Sequence, residues 1–124
     1  FQYIPKGNYS GFRSKYHYLG QVNTLGQIYL TRNVFFEPTL DVSTDIVDAV
    51  LKQIETAFRW NKPAIISTHR INYVGFIDPK NRDRTLALFN LLLKRITQKW
   101  NDVEFMSTDE LGKLIKHGKK NTTE

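Results

Sequence analysis

The chain has 124 residues, 40% of them hydrophobic and 24% charged, enough for one domain with a buried core and against extensive disorder. It contains no cysteine, which excludes disulfides, thiolate metal sites and cysteine nucleophiles. The net charge of +6 raises nucleic-acid binding, but the cations fall where solvated helix faces and a helix end would put them. Arg82, Arg84, Lys94, Arg95 and Lys99 alternate with apolar positions, while Lys113, Lys116, Lys119 and Lys120 crowd the C-terminal end. Neither a nucleic-acid nor a membrane partner is expected, since no recognition motif accompanies the charge and no apolar run approaches the roughly 18 residues of a span. The opening "FQYIPKGNYSG" lacks the basic and apolar regions of a secretory leader, and a start at Phe1 is expected of a processed or excised piece.

Residues 1–26 read as a loop-rich lead-in, punctuated by Gly7, Gly11, Gly20 and Gly26. Tyr3, Tyr9, Phe12, Tyr16 and Tyr18 lie between the glycines and are expected to cover an edge of a core built elsewhere. "QIYLTRNVFFEP", 27–38, is β-branched and aromatic and is stopped by Pro38, which predicts a strand over 28–35. A helix over 44–60 follows, opening near Ser43 with Asp45 at its positive end. Its apolar face is Val47, Val50, Leu51, Ile54 and Phe58, and Asn61 and Pro63 mark its end. A short strand, 64–68, comes next, then a long loop over 70–80 ending in the turn signal "DPKN". The pattern predicts a second helix over 82–100 that buries Leu88, Leu92 and Ile96, and a strand over 103–106. Ser107 to Glu110, "STDE", is a capping box opening a last helix over 108–116.

Strand and helix alternate with short connections, so the fold class is α/β with parallel βαβ units. The whole of 1–124 reads as a single domain: lead-in 1–26, βαβαβα core 27–116 and basic tail 117–124. Three strands are few for a parallel sheet, which points to part of a larger α/β barrel or sheet.

Parallel α/β folds carry their active sites at the C-terminal ends of the strands. The first strand carries Arg32 and Asn33 and ends at Glu37; the second ends at Ser67, Thr68, His69 and Arg70. Alternation sets Ile65, Ser67 and His69 on one face and Thr68 on the other. A histidine there can hold a metal, orient a substrate oxygen or act as general acid. The plainer readings are a hydrogen-bonded structural histidine, an Arg32–Glu37 ion pair, and Asn72 and Tyr73 as loop caps. No paired-histidine metal motif, nucleophile elbow, phosphate loop or dinucleotide fingerprint is present.

"KYHYLGQVNTLGQIYLTRNVFFEP", "QIETAFRWNKPAIISTHRINYVGFIDPKNRDR" and "WNDVEFMSTDELGKLI" resemble the C-terminal portion of bacterial polysaccharide deacetylase-like proteins, over residues 14–115. The resemblance implies the C-terminal part of a distorted (β/α) barrel whose parent hydrolyses acetyl groups from N-acetylated carbohydrate. It implies His69 in the place of a late strand-end general acid, although Ser67-Thr68-His69 departs from the usual Leu-x-His; Arg32, Asn33, Glu37, Arg70 and Asn72, at and near the strand ends, are expected as substrate contacts, with no family arginine matched to Arg32. The family's Asp-Asp and His-x-x-x-His metal blocks are absent, so no cofactor is expected in this chain, and a divalent metal, zinc by expectation, belongs to the full-length parent. The chain alone is expected to be inactive, and to form a homo-oligomer or pair with the missing N-terminal part. The alternative is a non-catalytic carbohydrate-binding or interaction module, with the aromatics of residues 1–18 stacking on sugar rings.

Overall fold

Val34, Phe36, Ile65 and Ile66 are β-branched or aromatic residues in short runs, and they build the parallel pairing around which the larger half of the chain folds. The computed structural model describes residues 2–5, 12–40, 43 and 45–120. Gly7, Gly11, Tyr9 and the last four residues of the expected tail lie outside them. The described chain is mixed α/β, with three helices, a parallel two-stranded sheet and an antiparallel pair. Its elements are β1 (Gln2–Pro5), β2 (Phe12–Lys15), β3 (Val34–Phe35), α1 (Asp45–Arg59), β4 (Ile66–Ser67), a 3-10 turn (Arg70–Tyr73), α2 (Pro79–Lys99) and α3 (Thr108–Lys120). They fall into two compact units, residues 1–31 with 106–124, and residues 32–105.

In the unit of residues 32–105, β3 and β4 run parallel with Val34 opposite Ile66 and Phe35 opposite Ser67, as the βαβ reading requires. The pairing is shorter than the expected 28–35 and 64–68. Asn33 takes over at its entry, where its side chain donates to Pro63 O at 2.9 Å and accepts from Ile65 N at 2.7 Å. The third strand, expected over 103–106, is not formed. Glu104 and Phe105 are exposed there, and no neighbouring strand is present among the described residues to complete a ladder.

The core of this unit joins Val34 and Phe36 to Val47, Val50, Leu51 and Ile54 of α1 and to Leu88, Leu92 and Ile96 of α2. The helical periodicity therefore identifies the buried faces, with Phe58 partly buried at the margin and set edge-on to Trp100 at 5.1 Å. Each fully buried aliphatic side chain contributes about 1.5–3 kcal/mol relative to exposure. α1 ends where Asn61 adopts φ 51°, with Lys62 N bonded to Ala57 O and Asn61 N to Phe58 O at 2.9 Å each. That is the paired bonding of a left-handed helix stop, which asparagine tolerates better than a branched residue. α2 begins three residues earlier than expected: Asp78 accepts from Lys80 N and Asn81 N, and Pro79 occupies the first helical position, where its missing N–H costs nothing. Arg95 meets Asp48 at 2.7 Å and Lys99 meets Glu55 at 3.0 Å. Two of the cations on the solvated face are thus paired with α1 carboxylates.

In the other unit, β1 and β2 pair antiparallel, a hairpin that the loop-rich reading of residues 1–26 missed. A second turn falls on "NTLG": Gly26 N bonds Asn23 O at 3.0 Å, Asn23 N bonds Gln27 O at 2.9 Å, and Gly26 sits at φ 74°. This three-residue loop draws Ile28 back onto Val22 in an antiparallel bridge, which is why the expected strand does not run on from 28. The Ser107–Glu110 capping box forms: Ser107 N donates to Glu110 Oε2 at 2.7 Å, and Glu110 N donates to Ser107 Oγ at 3.3 Å. Ser107 Oγ also donates to Oε2 at 2.8 Å, and the bonds from Ser107 N and Oγ hold the Glu110 carboxyl below its usual range. α3 then runs to Lys120, past the expected end at 116.

Candidate functional site at the strand ends

Phe36 N bonds Ser67 O at 2.9 Å, so the residues leaving β3 and β4 emerge side by side. Glu37 follows on one chain and Thr68 and His69 on the other. His69 keeps an extended backbone, φ −97° and ψ 141°, and caps the 3-10 turn. Its carbonyl accepts from Asn72 N at 3.0 Å, and that turn folds Asn72 back beneath the histidine.

The Glu37 carboxylate is shared between two donors. His69 Nδ1 lies 2.6 Å from Oε1, and Asn72 Nδ2 donates to Oε2 at 2.7 Å. Burial pushes the Glu37 pKa up, but the Asn72 bond and the His69 bond and charge outweigh it, and the net value lies below the ordinary 4.5. An ionised carboxylate only accepts, so Nδ1 carries the hydrogen. Nε2 makes no hydrogen bond among the described residues. The imidazole is 68% exposed and the carboxylate 23% exposed, so a half-buried acid holds an accessible ring.

Asn72 is 1% exposed, with its side chain fully committed. Besides Glu37, its amide nitrogen donates to His69 O at 2.9 Å and faces Thr68 Oγ1 at 3.4 Å, while its oxygen accepts from Thr39 N at 3.2 Å. Its backbone carbonyl accepts from Thr85 Oγ1, fully buried on α2. Thr68 Oγ1 and Tyr73 Oη are 2.8 Å apart at the rim. Burial raises the Tyr73 pKa, the Thr68 bond opposes this, and the Glu37 charge adds to the rise.

Of the residues read from sequence, the structure brings Glu37, His69 and Asn72 together. Arg32 and Asn33 precede β3, at the strand end away from Glu37. Arg32 donates to Ser67 Oγ at 3.3 Å and Asn33 serves the strand pairing, so the Arg32–Glu37 ion pair is not formed. Asn72, read as a substrate contact, lies beneath the surface, and Arg70 is exposed on the turn. Thr39 and Thr85 were not singled out; their contacts reach 33 and 13 residues along the chain, and no local pattern signals them.

Family models, curated proteins and solved structures were compared with the chain, and none matches. No group of three or more His, Cys, Asp or Glu able to hold a metal ion occurs among the described residues. No helix there is long and apolar enough to cross a membrane. A groove of about 490 Å³ lies between α1 and α2, lined by Asp48, Leu51, Lys52, Glu55, Arg95, Gln98 and Lys99. Ion pairs span it and no strand-end residue lines it, so it is separate from the Glu37–His69 pair.

Proposed function

We propose that the chain is the C-terminal part of a polysaccharide deacetylase-like (β/α) barrel, whose parent removes acetyl groups from N-acetylated carbohydrate, and that His69 is its general acid. The observation that carries this reading is the Glu37–His69 bond at the C-terminal ends of parallel strands. A carboxylate on Nδ1 stabilises the imidazolium and aims Nε2 outward, so a proton on Nε2 can pass to the nitrogen of the departing amine. The barrel reading has its own support in β3. Val34 and Phe36 are fully buried against the helices while Phe35 between them is 58% exposed, and Phe35 N–H bonds only a side chain, Gln53 Oε1 at 2.9 Å. One face of the sheet is thus exposed, and the β3 edge meets a side chain in place of a strand, where an N-terminal part or a second copy would pair by displacing Gln53.

The divalent metal of such a hydrolase does not fit the described residues. They hold no group of three or more His, Cys, Asp or Glu that could ligate one. Its ligands belong to the rest of the parent. A carbohydrate-binding module without chemistry is favoured by one observation, the 73% and 67% exposure of Tyr16 and Tyr18.

The test is His69→Ala in the complete parent, assayed for acetate release and for substrate binding. Loss of general acid catalysis lowers turnover by on the order of 100- to 10,000-fold with binding little changed. A lowered melting temperature with unchanged turnover per folded molecule would refute the catalytic assignment.

A further inference from the structure

We propose that Asn72 is a positioning residue that sets the orientation and tautomer of His69 through Glu37; its catalytic meaning rests on the reading of His69 as an acid, but the positioning itself does not. A free carboxylate beside an exposed imidazole can rotate, and either ring nitrogen can face it. Here Glu37 Oε2 is held by Asn72 Nδ2 at 2.7 Å, which fixes the carboxylate plane and leaves Oε1 to accept from Nδ1 at 2.6 Å.

The residue type follows from the demands on it. The position must donate to Glu37 and to His69 O and accept from Thr39 N at once, in a site 1% exposed. Only a side-chain amide of this length does both. Aspartate cannot donate, and an apolar residue would leave the Glu37 oxygen and the Thr39 N–H without their partner. Asn72 is itself anchored independently, through its backbone carbonyl, to Thr85 on α2. The fold therefore separates two tasks: Thr85 fixes the turn in place, and the Asn72 amide fixes the carboxylate.

The experiment uses the chain itself and needs no substrate or metal. Long-range proton–nitrogen correlation spectra of the ¹⁵N-labelled protein at about pH 9, where imidazoles are neutral, report which nitrogen bears the hydrogen. His69 signals are assigned with His69→Gln. The wild type should show the Nδ1–H form at His69. Folded Asn72→Ala and Asn72→Asp should both shift His69 toward the Nε2–H form that free histidine prefers, whereas Thr85→Val should lower the melting temperature and leave the tautomer unchanged. An unchanged tautomer in a folded Asn72 variant overturns the inference, as does a shift of equal size in Thr85→Val. If neither Asn72 variant folds, the residue is structural and the inference is equally overturned. A failed deacetylase assay would remove only the catalytic meaning, so the two failures are distinguishable.

Discussion

Glu37→Gln keeps the side-chain shape and removes its charge, so it isolates what ionisation of this carboxylate contributes. Two bonds are at stake, and they are unequal. The bond from Asn72 is made at a group 1% exposed and is charge-assisted, a class worth about 1.5–3 kcal/mol. The His69 ring is 68% exposed, so its pairing is screened and contributes about 0–1 kcal/mol. Glutamine can still accept from Asn72 as a neutral partner, worth about 1 kcal/mol, so the expected net loss is about 1.5 kcal/mol. His69→Ala should cost less, about 0.5 kcal/mol. The sign with pH follows from the depressed Glu37 value. A carboxyl whose folded pKa lies below its ordinary 4.5 stabilises the fold fully above 4.5, and that stabilisation is lost as pH falls through the folded value. Urea unfolding of wild type, Glu37→Gln and His69→Ala at about pH 7 and about pH 3 measures all three quantities. The wild-type advantage over Glu37→Gln should shrink at the lower pH. An advantage of the same size at both pH values, or a His69→Ala loss as large as that of Glu37→Gln, would refute the apportionment.

Leu92→Ala removes a fully buried side chain from the seam of α1, α2 and the sheet, and should cost about 2–5 kcal/mol, seen as a lower urea midpoint with an unchanged slope. At Asn61, held at φ 51°, Asn61→Ala should destabilise by about 1 kcal/mol while Asn61→Gly should not; equal melting temperatures for the two would show that the left-handed geometry is not maintained in solution.

Helix faces and caps were the most legible features because their signals are local. The spacing of Val47, Val50, Leu51 and Ile54 gives the buried face of α1, and the Ser107–Glu110 box gives the start of α3. The start of α2 was misread because Asp78-Pro79 suits a turn and a helix entry equally well, and only the following turn of helix tells them apart. Strands fared worse for a different reason. "VEFM" has strand composition, but a strand exists through its partner, and no residue type in 103–106 reports whether a partner is present. At the site, position at a strand end singled out Glu37 and His69, while Asn72 was read as a loop cap or a substrate contact. That they meet depends on contacts 32 and 35 residues apart, which no local pattern encodes.

The energetics of the strand ends bear on why polar residues occupy them at all. Desolvating the Glu37 carboxylate works against its ionised form, and burying the Asn72 amide carries a cost unless every group is matched. Among the described residues no buried side-chain nitrogen or oxygen lacks a partner, so the costs are met, though by bonds whose net contribution is about 1 kcal/mol each, or about 1.5–3 kcal/mol for the charge-assisted one from Asn72. Well-packed apolar side chains at the same positions would stabilise a strand end at least as well. What an apolar pair could not do is hold an imidazole that is two-thirds exposed, since such a ring has few packing contacts to fix it. The one property that this arrangement supplies and a hydrophobic one lacks is the directed hydrogen bond on Nδ1. The cluster is therefore accounted for by the orientation of His69 better than by stability, and the comparison of Asn72→Asp with Thr85→Val separates those two quantities in one protein.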